Sequence, residues 1–137
     1  MNIEHIALQA AHPAQMARWW CDNLGMKVLR QPGPAAFFLA DDAARVVLEI
    51  YHNPAVGLPD YSHWEAARFH IAFASPDVPA DAARLVAAGG RLEGALTDIK
   101  PTDAGDIFAI VRDPWGVALQ LVHRAQCLLP TPPAWSL

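Results

Sequence analysis

The chain has 137 residues, 53 % of them hydrophobic and 18 % charged, which is typical of one folded domain or of two small modules sharing a core. A formal net charge of −4 excludes the basic surface that nucleic acids and anionic membranes require. No apolar stretch reaches the roughly 18 residues of a membrane span, and the N-terminus lacks the basic start of a secretory signal. Two cysteines, Cys21 and Cys127, form no disulfide or metal framework, so we expect a cytoplasmic protein.

The first half of the chain predicts the order β-α-β-β-β. Residues 2–9 alternate loosely between polar and apolar types and predict a strand. His12-Pro13 opens a helix that ends at Asn23 and Gly25, because proline is favoured in a first helical turn and glycine just after the last one. Turn residues at 32–34 and 41–42 then separate three further strands, predicted at 26–30, 36–40 and 45–51.

The second half predicts the same order after a linker at 53–66 that is rich in turn-forming residues. The predicted elements are a strand at 68–74, a helix at 78–88 and strands at 92–99, 106–112 and 117–122. The proline-rich tail, 124–137, is predicted to run extended over the surface. The domain prediction is therefore one unit over 1–137, with module one at about 1–52 and module two at about 67–123.

The two halves also resemble each other in sequence. Glu4-His5-Ile6-Ala7-Leu8 matches Phe69-His70-Ile71-Ala72-Phe73 at an offset of 65 residues, and Glu49 matches Gln120 at an offset of 71. Each half thus has a histidine on its first predicted strand and a Glu or Gln on its last. Two related halves that face each other would bring these four side chains together.

Strand alternation supports a site at these positions. Within the predicted strand 45–51, Val46, Leu48 and Ile50 share one face, so Glu49 lies on the other. A carboxylate in such a place needs a partner, and a metal ion or a cation is the usual one. Two His, one Glu and one Gln suit a divalent ion such as Zn, Ni, Co, Fe or Mn. The alternatives are that each histidine is a hydrogen-bonded structural residue and that Glu49 pairs with Arg45 or Arg68.

Three segments resemble the vicinal oxygen chelate superfamily, which contains glyoxalase I, extradiol dioxygenases and bleomycin-resistance proteins. They are Ile3-Glu4-His5-Ile6-Ala7-Leu8, the run from Trp19 to Val28, and the run from Asp113 to Leu121. The resemblance covers about residues 1–123. It implies an α+β fold in which two tandem βαβββ modules form a cup-shaped, eight-stranded mixed sheet around one divalent metal ion.

The resemblance implies His5, Glu49, His70 and Gln120 as metal ligands and Glu49 as the catalytic base. The leading hypothesis is a lyase or isomerase of glyoxalase type, in which the metal chelates two vicinal oxygens of a small substrate and stabilises an enediolate. Glutathione-linked activity is in doubt, since bacterial glyoxalase I has Glu where this chain has Gln120. An iron-dependent extradiol-type dioxygenase and a non-catalytic drug- or metabolite-binding protein of bleomycin-resistance type are the alternatives.

Aromatic side chains and assembly complete the expectations. We expect Tyr51, Phe37, Trp64 and Trp115 to line the substrate site. Trp19 and Trp20 are adjacent on one predicted helix and cannot both point into the core, and exposed apolar patches often mark partner surfaces. A homodimer is therefore predicted, in which the cup forms within one chain or across two.

Overall fold

The structure, a computed structural model, describes residues 1–128; the larger part of the predicted tail, residues 129–137, lies outside the described residues. The chain divides into two compact units, Met1–His63 and a second that begins at Trp64. Each unit is one βαβββ module, so the predicted α+β fold with two tandem modules is confirmed. The eight strands are divided over two mixed sheets of four strands each.

Module one packs one helix against one face of its sheet. The sheet has the order β1-β4-β3-β2, with β1 parallel to β4 and the other neighbours antiparallel. Met16 and Trp20 of the helix and Leu39 and Ile50 of the sheet are fully buried, and these side chains form the core. The elements are β1 (Ile6–Gln9), α1 (Pro13–Leu24), β2 (Lys27–Gly33), β3 (Ala36–Ala40) and β4 (Val47–Tyr51).

Module two repeats this arrangement, with the sheet order β5-β8-β7-β6 and β5 parallel to β8. Its core contains Leu85 of the helix with Val111 and Leu119 of the sheet, none of which is exposed. The elements are β5 (Ile71–Ala74), α2 (Val78–Ala87), β6 (Arg91–Glu93), β7 (Ile107–Arg112) and β8 (Ala118–His123). Short 3-10 turns lie at Tyr61–His63 and Leu96–Asp98.

The helix ends follow the sequence signals. Pro13 occupies the first turn of α1, and Gly25 ends it in the left-handed conformation with φ 69°, which costs glycine nothing. The side chain of Asp77 caps α2 by accepting a hydrogen bond from the Ala80 backbone N–H at 3.0 Å. Within residues 1–128, no helix is long and apolar enough to span a membrane.

The first strand of each module is shorter than the sequence predicts. β1 starts at Ile6 and β5 at Ile71, so His5 and His70 each lie one residue before a strand instead of within it. Each strand is an edge strand with a single neighbour, and its pairing starts at Ile6 opposite Leu48 and at Ile71 opposite Leu119, although β4 and β8 themselves begin one residue earlier, at Val47 and Ala118. The length of each strand depends on its pairing with the neighbouring strand, and this pairing cannot be read from the sequence of one strand alone.

The predicted linker is attached to module one through Tyr61. This side chain is only 7 % exposed. Its hydroxyl accepts a hydrogen bond from the Gln9 backbone N–H and donates one to the Gln9 carbonyl, both at 3.1 Å. The Gln9 side chain also donates to the carbonyl of Gly57 at 2.9 Å. Residues 57–61 are therefore fixed along β1 and do not behave as a free spacer.

Candidate metal centre

His5 and Glu49 meet on one face of module one. Ala7 lies beside Glu49 in the parallel β1–β4 pair, and His5 precedes Ala7 by two residues. Residues two apart share a face of a strand, so His5 and Glu49 are diagonal neighbours. The His5 Nε2 atom lies 3.4 Å from Glu49 Oε2, and the two side chains are 34 % and 21 % exposed.

Two further side chains touch the His5 ring. The Glu4 carboxylate contacts Nδ1, and the ring meets that of Phe38 at right angles, with 5.4 Å between the ring centroids. The hydrogen bond to Glu4 raises the pKa of His5 above its ordinary value. Desolvation opposes this rise, whereas the charges of Glu4 and Glu49 support it.

Module two places His70 and Gln120 in the same relation. Ala72 lies beside Gln120 in the parallel β5–β8 pair, and His70 precedes Ala72 by two residues, as His5 precedes Ala7. The His70 Nδ1 atom lies 2.8 Å from the Ala66 carbonyl. A carbonyl only accepts, so Nδ1 carries the proton and Nε2 keeps a free lone pair. That is the tautomer a metal-binding histidine uses.

The spacing of His5 and Glu49 fits ligands of a single ion. Two ligand atoms bound about 2.1 Å from a tetrahedral metal lie roughly 3.4 Å apart, which is the observed Nε2–Oε2 distance. Within residues 1–128, no three or more His, Cys, Asp or Glu side chains form a group that could hold a metal. Each module by itself therefore offers two donors, namely His5 with Glu49 and His70 with Gln120.

The two arginines considered as partners for Glu49 make other contacts. Arg68 pairs with Glu65, with 3.2 Å between Nε and Oε2. Arg45 uses its backbone N–H to bond the Asp41 side chain at 2.7 Å. The Glu49 carboxylate lies 3.4 Å from Nε2 of His5, whose ring is a cation only when it is protonated.

The aromatic residues predicted to line the site differ in position. Phe37 is 8 % exposed, on the core side of β3, whereas the next residue, Phe38, lies directly opposite Glu49. Tyr51 shares the face of Glu49 and is half-buried. In module two, Trp64 is 42 % exposed and its ring meets Phe69 at 6.0 Å, while Trp115 is half-buried in the turn before β8.

Residues 2–121 match the family model described as the Glyoxalase/Bleomycin resistance protein/Dioxygenase superfamily. The chain belongs to this superfamily. The resemblance stated from the sequence is thereby confirmed, and the match includes both modules. The superfamily contains enzymes such as glyoxalase I, and many of its members use a divalent metal. No curated protein matches the sequence significantly.

Solved structures with the same fold include glyoxalase proteins. A protein named SMU.1112c is 27 % identical, with a TM-score of 0.65 over 90 % of this chain and 98 % of that one. A glyoxalase-related enzyme from Fulvimarina pelagi is 21 % identical, with a TM-score of 0.66 over 89 % and 87 %. A glyoxalase I mutant from Zea mays is 23 % identical, with a TM-score of 0.69 over 91 % of this chain but 46 % of that one.

Sequence reasoning missed two residues next to His5 and Glu49, namely Glu4 and Phe38. The predicted strand 2–9 would have placed Glu4 and His5 on opposite faces. The contact of Phe38 depends on the register of β3 against β4, which pairs it with Glu49. If the turn between β3 and β4 were two residues longer or shorter, the register would be different. The residue opposite Glu49 therefore cannot be predicted from the sequence pattern of one strand.

Proposed function

We propose that the chain is a glyoxalase-like, metal-dependent enzyme of lyase or isomerase type, acting on a small substrate with vicinal oxygens. The observation that carries this proposal is the His5–Glu49 pair, with 3.4 Å between Nε2 and Oε2. The register relation of that pair recurs in His70 and Gln120. Both pairs, His5 with Glu49 and His70 with Gln120, lie on the sheet faces away from the helices. Packing of the two hydrophobic cores therefore does not explain why the same pattern of donor residues occurs twice.

The proposed ligands of one divalent ion are His5, Glu49, His70 and Gln120. Bound there, the ion would act as a Lewis acid on the two vicinal oxygens. Glu49 is the one carboxylate of the four and is therefore also the proposed base, which takes a proton from the carbon next to a substrate carbonyl. Phe38 adds an apolar surface directly beside Glu49. Tyr51, Trp64 and Trp115 remain proposed substrate contacts, whereas Phe37 is 8 % exposed and lies on the core side of β3.

Metal content tests the proposal. The protein is purified without added metal and its bound elements are measured, for the parent and for Glu49→Gln, which keeps the side-chain shape but removes the charge. We expect about one nickel, zinc or cobalt ion per chain in the parent and much less in the variant. Parent protein without metal would contradict the proposal and would favour a binding protein.

Iron in the parent would favour the second candidate, an iron-dependent extradiol-type dioxygenase. A specific feature supports that candidate: His5, His70 and Glu49 make a two-histidine, one-carboxylate set, which non-haem iron enzymes use for oxygen chemistry. Oxygen consumption with a catechol then separates the two reactions, because a lyase or isomerase consumes none.

Glutathione-linked activity is predicted to be low in the parent and to rise in Gln120→Glu. The amide of Gln120 cannot accept a proton as a base, whereas a carboxylate at this position, equivalent to Glu49, can. We expect at least about a tenfold increase in turnover of the methylglyoxal–glutathione hemithioacetal. Gln31→Glu, on the exposed strand β2, is the matched control and should leave turnover unchanged. High activity in the parent would contradict the prediction.

A homodimer in the cytoplasm is the proposed state of the protein. Trp20 is fully buried and the adjacent Trp19 is half-buried, so the aromatic patch expected on α1 is limited to the exposed part of Trp19. The two cysteines of the described residues are both free thiols. Sedimentation at micromolar concentration should give a species of twice the 14.9 kDa chain mass. A single species of one chain mass would exclude the dimer.

A further inference from the structure

The two metal-ligand histidines of the proposed function are held at the same ring atom by different acceptors. His70 directs Nδ1 to the backbone carbonyl of Ala66, at 2.8 Å. His5 directs Nδ1 to the side-chain carboxylate of Glu4. A carbonyl is neutral and a carboxylate is charged, so the two modules orient equivalent rings with hydrogen bonds of different strength.

The contact between Glu4 and His5 exists because β1 begins late. Adjacent residues of a regular strand project to opposite faces and their side chains cannot touch. Glu4 and His5 both precede Ile6, the first residue of β1, and the backbone there is free of the ladder. In module two, the position equivalent to Glu4 is held by Phe69, whose ring packs against Trp64. A carboxylate next to the histidine at this position is thus found in module one and not in module two.

The contact also determines where the other ring nitrogen points. With Nδ1 at Glu4 and the ring at right angles to Phe38, Nε2 faces Glu49 at 3.4 Å. We infer that Glu4 is a positioning residue, which holds the Nδ1 proton of His5 and thereby presents the Nε2 lone pair to the ion proposed to bind at Glu49. This inference rests on the proposed function for its metal, but the orientation of the ring is a property of the metal-free protein.

Carboxylate partners of metal-bound histidines contribute to affinity in two ways. They fix the tautomer and the ring orientation, and their charge makes the free nitrogen a stronger donor. Loss of such a partner typically weakens metal binding by about 10- to 100-fold. Two substitutions separate these contributions: Glu4→Gln keeps an oxygen that accepts from Nδ1 but lacks the charge, whereas Glu4→Ala removes both.

The experiment uses the full chain and two measurements. Nitrogen chemical shifts of the His5 ring, recorded without metal and well above the ordinary pKa of histidine, report which nitrogen carries the proton. Competition with a chelator gives the dissociation constant for Zn²⁺. We expect the proton on Nδ1 in the parent and in Glu4→Gln, and a shift toward Nε2 in Glu4→Ala. Zinc affinity should fall by about 10- to 100-fold in Glu4→Ala and by less in Glu4→Gln.

The matched control is Glu65→Gln, which also removes an exposed carboxylate, 73 % exposed, in this case one that pairs with Arg68. It should change neither measurement at His5. An unchanged His5 tautomer in Glu4→Ala would overturn the inference, as would a zinc affinity within twofold of the parent. A parent that binds no zinc would instead contradict the proposed function, and the tautomer measurement would then decide the role of Glu4 by itself.

Discussion

Replacing His70 by alanine should weaken divalent metal binding by at least about 100-fold, and His5→Ala should do the same. Loss of an outer partner of a ligand already costs about 10- to 100-fold, so loss of the ligand itself costs more. The set left behind has three donors, one of them the weak amide oxygen of Gln120. Zinc affinity, measured by chelator competition, checks the prediction.

His123→Ala is the control for these variants. His123 is exposed and lies at the end of β8, three residues after Gln120 and so on the opposite side of the strand. Its loss should leave zinc affinity unchanged. Retention of one tightly bound ion per chain in both His5→Ala and His70→Ala would refute the ligand assignment, provided that both variants keep the circular dichroism of the parent.

Arg112→Met should lower the free energy of unfolding by about 3 kcal/mol. The Arg112 side chain is 5 % exposed and binds Glu93 at 2.6 Å between Nε and Oε1. Its two terminal nitrogens donate to the carbonyls of Gly116, at 3.0 Å, and of Trp64, at 2.7 Å. Methionine fills a similar volume but leaves all three acceptors without this donor, which is costly in a buried place.

Urea unfolding of the parent and of Arg84→Met provides the comparison. Arg84 also forms an ion pair, with Asp81 at 2.8 Å, but its side chain is 51 % exposed. Exposed pairs contribute about 0–1 kcal/mol, so Arg84→Met should lie close to the parent. Equal losses in the two variants would show that burial of the Arg112 guanidinium contributes no extra stability.

Local signals predicted the parts of the fold that depend on a few neighbouring residues. The ends of α1 followed from Pro13 and Gly25, and β3 was predicted at 36–40, where it is observed. β6 was predicted to reach residue 99 but stops at Glu93, because Gly94 takes a left-handed conformation with φ 91° and a 3-10 turn follows. A glycine within an apolar run does not reveal by itself whether the chain turns there.

For the candidate site as well, some features could be predicted from the sequence and others depend on how the strands pair. The offsets of 65 and 71 residues put His5 and Glu49 at positions equivalent to His70 and Gln120, and the strand registers show the same relation within each pair. The choice between Phe37 and Phe38 required the pairing of β3 with β4, which depends on the length of the turn between them. The role of the four residues as metal ligands stays a prediction.

The hydroxyl of Tyr61 occupies the outward-facing peptide groups of Gln9, at one edge of the module-one sheet. β1 is an edge strand, and the Gln9 peptide groups that Tyr61 binds point away from β4, since the next N–H, of Ala10, bonds to the Tyr51 carbonyl. When such peptide groups are left unbound, they act as a template to which a strand of another chain can be added.

The opposite edge of the sheet is β2, where Val28 and Leu29 are 50 % and 59 % exposed. Here Pro32, which lacks a backbone N–H, and two register shifts make the edge irregular and so oppose the addition of a strand. The two edges of this sheet therefore differ in what opposes pairing with a foreign strand: the Tyr61 hydroxyl at the Gln9 end of β1, and irregular geometry along β2.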